Sequence, residues 1–263
     1  MLDAVRNNSG VRSILRQIRR PGSIPIEQFL LNRPRVIKTW WSVTRRNLTY
    51  SRPDQLAHLV GLVREFERTN EPGEIIEAGC AWGGSAILMC AAKSPARPMR
   101  VFDVFGMIPP PSEKDGSDMK ARYEEIASGK SSGLGKDPYY AYDDDLEAKV
   151  RNNFRDLGYP IEKNSVSLIR GKVQDTLEVN GTVCLAHIDV DWYEPVMACL
   201  ERIVPRLSPL GVVGLRAYSD WSGCRKATDE YFGRIGNAGF TRRMVAGQLF
   251  VRRQKDSSRA GAP

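Results

Sequence analysis

The chain is poor in the residues that most often announce chemistry. It has two histidines in 263 residues, His58 and His187, and five cysteines, an odd number. No CxxC spacing occurs, so neither a zinc site nor a disulfide framework is supported. The cysteines (Cys80, Cys90, Cys184, Cys199, Cys224) sit in apolar or motif-like segments, which suits a reducing cytoplasm. No apolar run approaches the roughly 18 residues of a membrane span. The charged N-terminal stretch has no apolar segment after it, so a secretory leader is not expected. GxGxxG, the turn on which a dinucleotide pyrophosphate sits, is also missing.

What the chain does have is an uneven charge. Residues 1–50 hold ten Lys/Arg against Asp3 and Glu27, which accounts for the whole net charge of +8. The rest of the chain carries 29 residues of each sign and is neutral. Within this basic arm "VRSILRQIRR" (11–20) puts Val11, Ile14, Leu15 and Ile18 at helical spacing with arginines opposite. A surface helix packed on the body or on a partner subunit is the expected reading, with an anionic membrane surface as the alternative. Nucleic acid is disfavoured because no aromatic residues are interleaved with these arginines. Leu30, Leu31, Trp40 and Trp41 add more apolar surface than a free tail should expose, so a homo-oligomer is expected.

Beyond the arm, strand-like and helix-like segments alternate. "RPDQLAHLVGLVREFERTN" (52–70) is an amphipathic helix with Leu56, Leu59, Val60, Val63 and Phe66 on one face. "EIIEAG" (74–79), "MRVFDVFG" (99–106), "VSLIRG" (166–171), "TVCLAHIDV" (182–190), "VVGLRAY" (212–218) and "QLFVRRQ" (248–254) read as strands. Helices are expected at 145–158, 194–211 and 224–239. The alternation predicts one α/β domain over 51–254, a Rossmann-like, mostly parallel sheet with helices on both faces. The polar stretch 107–145 reads as a structureless lid, and 255–263 as a disordered tail.

Three strand ends carry chemistry. Glu77 and Gly79 begin a glycine-rich turn, "EAGCAWGGS", that opens a helix and lets backbone N–H groups approach a ligand. A carboxylate there would repel a pyrophosphate, which disfavours a nicotinamide enzyme, and suits a ligand bearing an ammonium group. Asp103 ends the next strand, 26 residues after Glu77, where an acid accepts hydrogen bonds from ribose hydroxyls. Asp175, after Gly171, suits an adenine contact or a plain turn. In "HIDVDWYEP" (187–195) Asp189 and Asp191 form half of a metal or acid–base site. His187 shares their strand face as a structural residue or a candidate base. Trp192 and Tyr193 could wall a sugar ring or pack beneath the lid. The neighbouring strand end offers Arg216 and Ala217.

The motifs "IIEAGCAWGGSA", "VFDVFGMIP", "GKVQDTL", "HIDVDWYEP" and "AYSDWSGCRKATDEYF" resemble those of the macrocin O-methyltransferase family, in family order over residues 48–253. The resemblance implies a Rossmann-like, S-adenosylmethionine-dependent enzyme that methylates a sugar hydroxyl of a small-molecule glycoside or glycolipid. Glu77, Gly79, Ser85, Asp103 and Asp175 would contact the cofactor, and Tyr50 and Ser51, in "LTYSRP", would close over its methionine end. It also implies a Mg²⁺ ion held by the first aspartate of DxD and by two adjacent aspartates at the next strand end, with the second aspartate, here Asp191, as base. Asp189 is the remnant of that metal set. The adjacent pair falls on Arg216 and Ala217, a swing of three charge units, so Mg²⁺ should not be held. A fixed guanidinium then stands where the ion would, able to pair with Asp189 or donate to a substrate oxygen. A non-catalytic relative, or a metal relocated to Asp220, are the rival readings.

Overall fold

A computed structural model describes residues 34–255, apart from 136 and 237. Its centre is a seven-stranded sheet. The strands are β1 (Glu74–Ala78), β2 (Met99–Asp103), β3 (Val166–Arg170), β4 (Val183–Ile188), β5 (Leu207–Leu215), β6 (Phe240–Val245) and β7 (Gln248–Arg253). They lie in the order β3-β2-β1-β4-β5-β7-β6. The first five are parallel, while β7 runs antiparallel to β5 and to β6. The order reverses between β1 and β4, which opens a crevice beyond their C-terminal ends. Every residue of β4 is buried. A central parallel strand covered on both faces reads as an apolar run for that reason.

The helices are α1 (Pro34–Arg45), α2 (Pro53–Thr69), α3 (Gly84–Ala92), α4 (Ser117–Ala127), α5 (Leu146–Asp156), α6 (Val173–Thr176, a single turn), α7 (Tyr193–Ile203) and α8 (Ser222–Ile235). α1, α2, α3 and α5 share one core with one face of the sheet. α6, α7 and α8 share a second core with the other face. α2 buries the expected stripe, Leu56, Leu59, Val60, Val63 and Phe66. It stops at Asn70, whose left-handed backbone (φ +51°) turns the chain into β1.

Several expectations need correcting. The stretch 107–145 contains α4 and a 3₁₀ turn at Tyr140–Tyr142. Met119 and Ile126 are buried there, and Ile126 packs with Tyr139 and Ala141. Those few apolar anchors were diluted among lysines, serines and glycines. The helix expected to reach 211 ends at Ile203, and β5 begins at Leu207. Pro205 has no N–H to continue the helical ladder. β6 was missed because it is an edge strand with four exposed residues of six, "TRRM". α1 lies in what reads as a free arm, yet Trp40 is 1% exposed in its own chain, which removes it from the apolar surface available to a second subunit. The amphipathic stretch 11–20, Leu30, Leu31 and the tail 256–263 lie outside the described residues. Among the described residues no helix is long and apolar enough to cross a membrane.

Candidate functional site

The crevice at the switch point is a cleft with about 980 Å³ of space free of protein atoms, its open mouth included. Its walls come from the ends of β1, β2 and β4, the turn after β3, and the 107–145 segment. Gly79, Asp103, Asp189, Asp191 and Tyr140 all face it. The parallel register explains this convergence. Ala78 stands beside Phe102 and Ile188, and Ile188 beside Leu215, so the residues that follow each strand emerge on one edge.

Two glycines of the first turn serve chain packing. A Cβ on Gly79 (φ +83°) would collide with the Asp189 carbonyl, so its bareness lets the β1 and β4 ends meet. A Cβ on Gly84 would come within 2.5 Å of the Leu48 carbonyl, which accepts the Gly84 N–H at 2.8 Å. That contact pins the Tyr50–Ser51 turn over the start of α3. Asp103 is 7% exposed, and its two oxygens accept the N–H groups of Cys80 and Phe105, each at 2.8 Å. Burial pushes its carboxyl upward, and those two N–H bonds oppose the shift.

Glu77 and His187 are opposite each other in the β1–β4 register, both fully enclosed, with Nδ1 and Oε1 2.9 Å apart. Burial raises the Glu77 carboxyl, while His187 and Ser85 pull it back down. His187 therefore faces Glu77 inside the sheet through Nδ1, and its Nε2 is buried without a hydrogen-bond partner among the described residues. Asp175 is exposed on α6, and its neighbours Lys172, Val173 and Gln174 line the cleft instead. The one-turn helix points residue 175 outward, a detail of phase that a four-residue element does not reveal in sequence.

These residues fit the cofactor that the resemblance implies. Glu77 Oε2, Ser51 Oγ and Tyr50 Oη are buried without a hydrogen-bond partner among the described residues. An amino-acid group bearing an ammonium and a carboxylate would satisfy such atoms. Asp103 keeps lone pairs for ribose hydroxyls beside its two backbone bonds. Gly171–Gln174 offers a wall for a base.

The acid–base half is different. Asp189 Oδ1 lies 3.6 Å from Arg216 Nε, and Asp220 Oδ2 lies 3.8 Å from Arg216 Nη1. The Asp189 charge, set against burial, holds the guanidinium firmly protonated. A divalent ion does not fit a donor set in which a permanent cation already sits between the two carboxylates, and Asp220, the displaced ligand considered above, is one of its partners. Asp191 is pushed up to about 7. Burial is the main cause and the Asp189 charge the next, opposed by Arg216 and Arg122.

Sequence reasoning missed the residues that the 107–145 segment contributes. Tyr140 lines the cleft, and its phenol lies near enough to Asp103 and Asp191 for both to help burial raise it well above the usual value. Tyr139 and Tyr50 pack against it, with ring centroids at 4.5 and 5.9 Å. The signal was the tyrosine-rich "YYAY" within an otherwise polar insert. Trp192 and Tyr193 are each 5% exposed; Trp192 lines the cleft while its Nε1–H donates to the Pro109 carbonyl at 2.8 Å, and Tyr193, whose hydroxyl donates to Glu230, does not line it.

Comparison with known proteins adds a second line of support. Residues 40–236 match the family model described as Macrocin-O-methyltransferase (TylF). The chain is 31% identical over 210 residues to the 8-demethyl-8-(2,3-dimethoxy-alpha-L-rhamnosyl)-tetracenomycin-C 4'-O-methyltransferase of Streptomyces olivaceus, covering 77% of this chain and 74% of that one. It is 29% identical over 183 residues to the demethyldecarbamoylnovobiocin O-methyltransferase of Streptomyces niveus, covering 67% and 64%. Its fold is similar to the structure of the O-methyltransferase NovP, with a TM-score of 0.66 at 23% identity over 79% of this chain and 83% of that one.

Proposed function

We propose, from the premise that the chain belongs to the macrocin O-methyltransferase family and is an S-adenosylmethionine-dependent O-methyltransferase, that its acceptor is a sugar hydroxyl of a glycosylated natural product or glycolipid. One relative is named for 4'-O-methylation of a rhamnosyl tetracenomycin. The observation that carries the reading is the convergence of Asp103, Asp189, Asp191 and Tyr140 on one cleft, in which burial and the Asp189 charge push the Asp191 carboxyl up to about 7. A base poised near the working pH combines the ionised form with useful proton affinity.

S-adenosylmethionine, when bound, supplies an electrophilic methyl on a sulfonium sulfur. Asp103 would accept hydrogen bonds from its ribose, while Glu77, Ser85, Ser51 and Tyr50 would hold its amino-acid end beside Gly79. Asp191 takes the proton of the acceptor hydroxyl as that oxygen gains the methyl. Arg216 orients Asp189 and provides fixed positive charge for the oxygen losing its proton. A cytoplasmic setting belongs to the same proposal and is supported by five free, buried cysteines.

The test is methyl transfer to a panel of glycosides, with and without EDTA. The parent is expected to keep its rate in EDTA. Arg216→Asp with Ala217→Asp rebuilds three convergent carboxylates and should make the rate depend on Mg²⁺. A parent silenced by EDTA would refute the role given to Arg216. A parent that transfers nothing while the double variant does would mark a relative that gave up catalysis.

A further inference from the structure

Gln248, the first residue of β7, is 0% exposed. Neither atom of its side-chain amide has a hydrogen-bond partner among the described residues. Burying an unpaired amide is costly, and folded chains pair nearly all such groups. An apolar side chain of the same shape would avoid that cost.

Its neighbours suggest what pairs it. Gly214 stands opposite Phe250 and Leu215 opposite Leu249. The paired residues end there, and the same register carried one step past the end of β5 would set Gln248 level with Arg216. Side chains alternate along strands, so these two share the sheet face that carries Phe250, His187 and Glu77. Arg216 Nε is likewise buried and makes no hydrogen bond among the described residues, its nearest acceptor being Asp189 Oδ1 at 3.6 Å. Its Nη2–H reaches only the Tyr50 carbonyl, at 3.4 Å. Arg52 and Gln55 both donate to the Ala246 carbonyl in the β6–β7 turn, fastening the start of α2 over this corner.

We propose that Gln248 and Arg216 form a subsite for two neighbouring hydroxyl oxygens of the acceptor sugar, with Gln248 determining which hydroxyl meets Asp191. This rests on the methyl-transfer reading above. The chemistry matches: an amide offers a donor and an acceptor to a hydroxyl that is both. The guanidinium only donates, and so favours the oxygen that is losing its proton. The two side chains would thus do together what a chelating ion does alone. Neither side chain lines the cleft as it stands, and the Tyr50 carbonyl is held by Arg216, so the acceptor would reach the pair as the Tyr50–Ser51 turn lifts.

The experiment uses Gln248→Met in the full chain, a swap that keeps length and removes both polar atoms. Three quantities are measured: Tm, the affinity for S-adenosylmethionine, and kcat/KM for a glycoside and for its analogue lacking the neighbouring hydroxyl. The expected result is a higher Tm, unchanged cofactor affinity, and loss of a discrimination of about tenfold or more that the parent shows between the two acceptors. Unchanged discrimination would overturn the subsite. So would a lower Tm, since the amide would then be paired within the chain, or a loss confined to cofactor affinity. A parent inactive on every glycoside would sink the preceding reading, and this one with it. A parent that discriminates equally well as the variant sinks this one alone.

Discussion

Asp191 lies two residues beyond Asp189, and the low-dielectric wall around it makes its ionised form expensive. The shift from 3.8 to about 7 has a direct kinetic consequence. Below that value the carboxyl is protonated and cannot accept the hydroxyl proton, and above it the base is present. The rate of methyl transfer is expected to rise with pH through about 7 and then level off, and Asp191→Asn should lower kcat by about 10²-fold or more. A profile flat from pH 6 to 8, measured at saturating cofactor, would argue for a different base. His187 looked comparable on the strand pattern, since both face one edge. The β1–β4 register gave it to Glu77 instead, and register between strands distant in sequence is not written locally.

At the scale of elements, the 107–145 segment is tied to the helices that follow the catalytic strands. Asp115 Oδ1 accepts the Tyr193 N–H at 2.7 Å, and its Oδ2 accepts the N–H and hydroxyl of Ser112 at 2.8 and 2.9 Å. It thereby caps the start of α7, which has no side-chain cap of its own. Asp118 does the same for α8, accepting the Ser222 N–H at 3.0 Å. Gly223 is bare where a Cβ would strike Asp115. Asp115→Ala should cost about 1–2 kcal/mol, the range for a lost N-cap, and should open 107–145 to limited proteolysis. A variant as resistant as the parent would mean that other contacts hold the segment. Periodicity found α2 and α3's strand-flanked turn readily. It failed on α4, whose order comes from acids reaching helices some 78 and 104 positions away.

At the scale of the whole molecule, stability should respond to acid through His58. The ring packs edge-on to Phe250 at 4.4 Å, joining α2 to β7. Burial, followed by the charges of Arg243 and Arg252, lowers it to about 4. Between pH 6.5 and 4 the unfolded chain binds a proton there that the folded chain refuses, so stability falls as pH drops through that window. The loss amounts to at most about 3 kcal/mol. Asp191 acts with the opposite sign over the same range, because its folded form holds a proton that the unfolded chain has released. The clean measurement is therefore the difference in unfolding free energy between parent and His58→Gln at pH 7 and pH 4. A difference that stays constant would rule out the linkage.

Arg216 and Ala217 stood out in the amino-acid sequence only against the motif of the resembled family, whereas the α/β architecture and the carboxylates Glu77, Asp103, Asp189 and Asp191 were legible directly. Each of the latter depends on local pattern: apolar runs bounded by glycine turns, and acids at the ends of those runs. Pairing of groups across distant strands was not legible. Tertiary structure alone set Glu77 against His187 and Arg216 between Asp189 and Asp220, and buried the Gln248 amide without a partner among the described residues. It also turned Asp175 outward and folded Tyr140 into the cleft. These outcomes follow from strand register and from the phase of short helices, which a shift of one residue reverses.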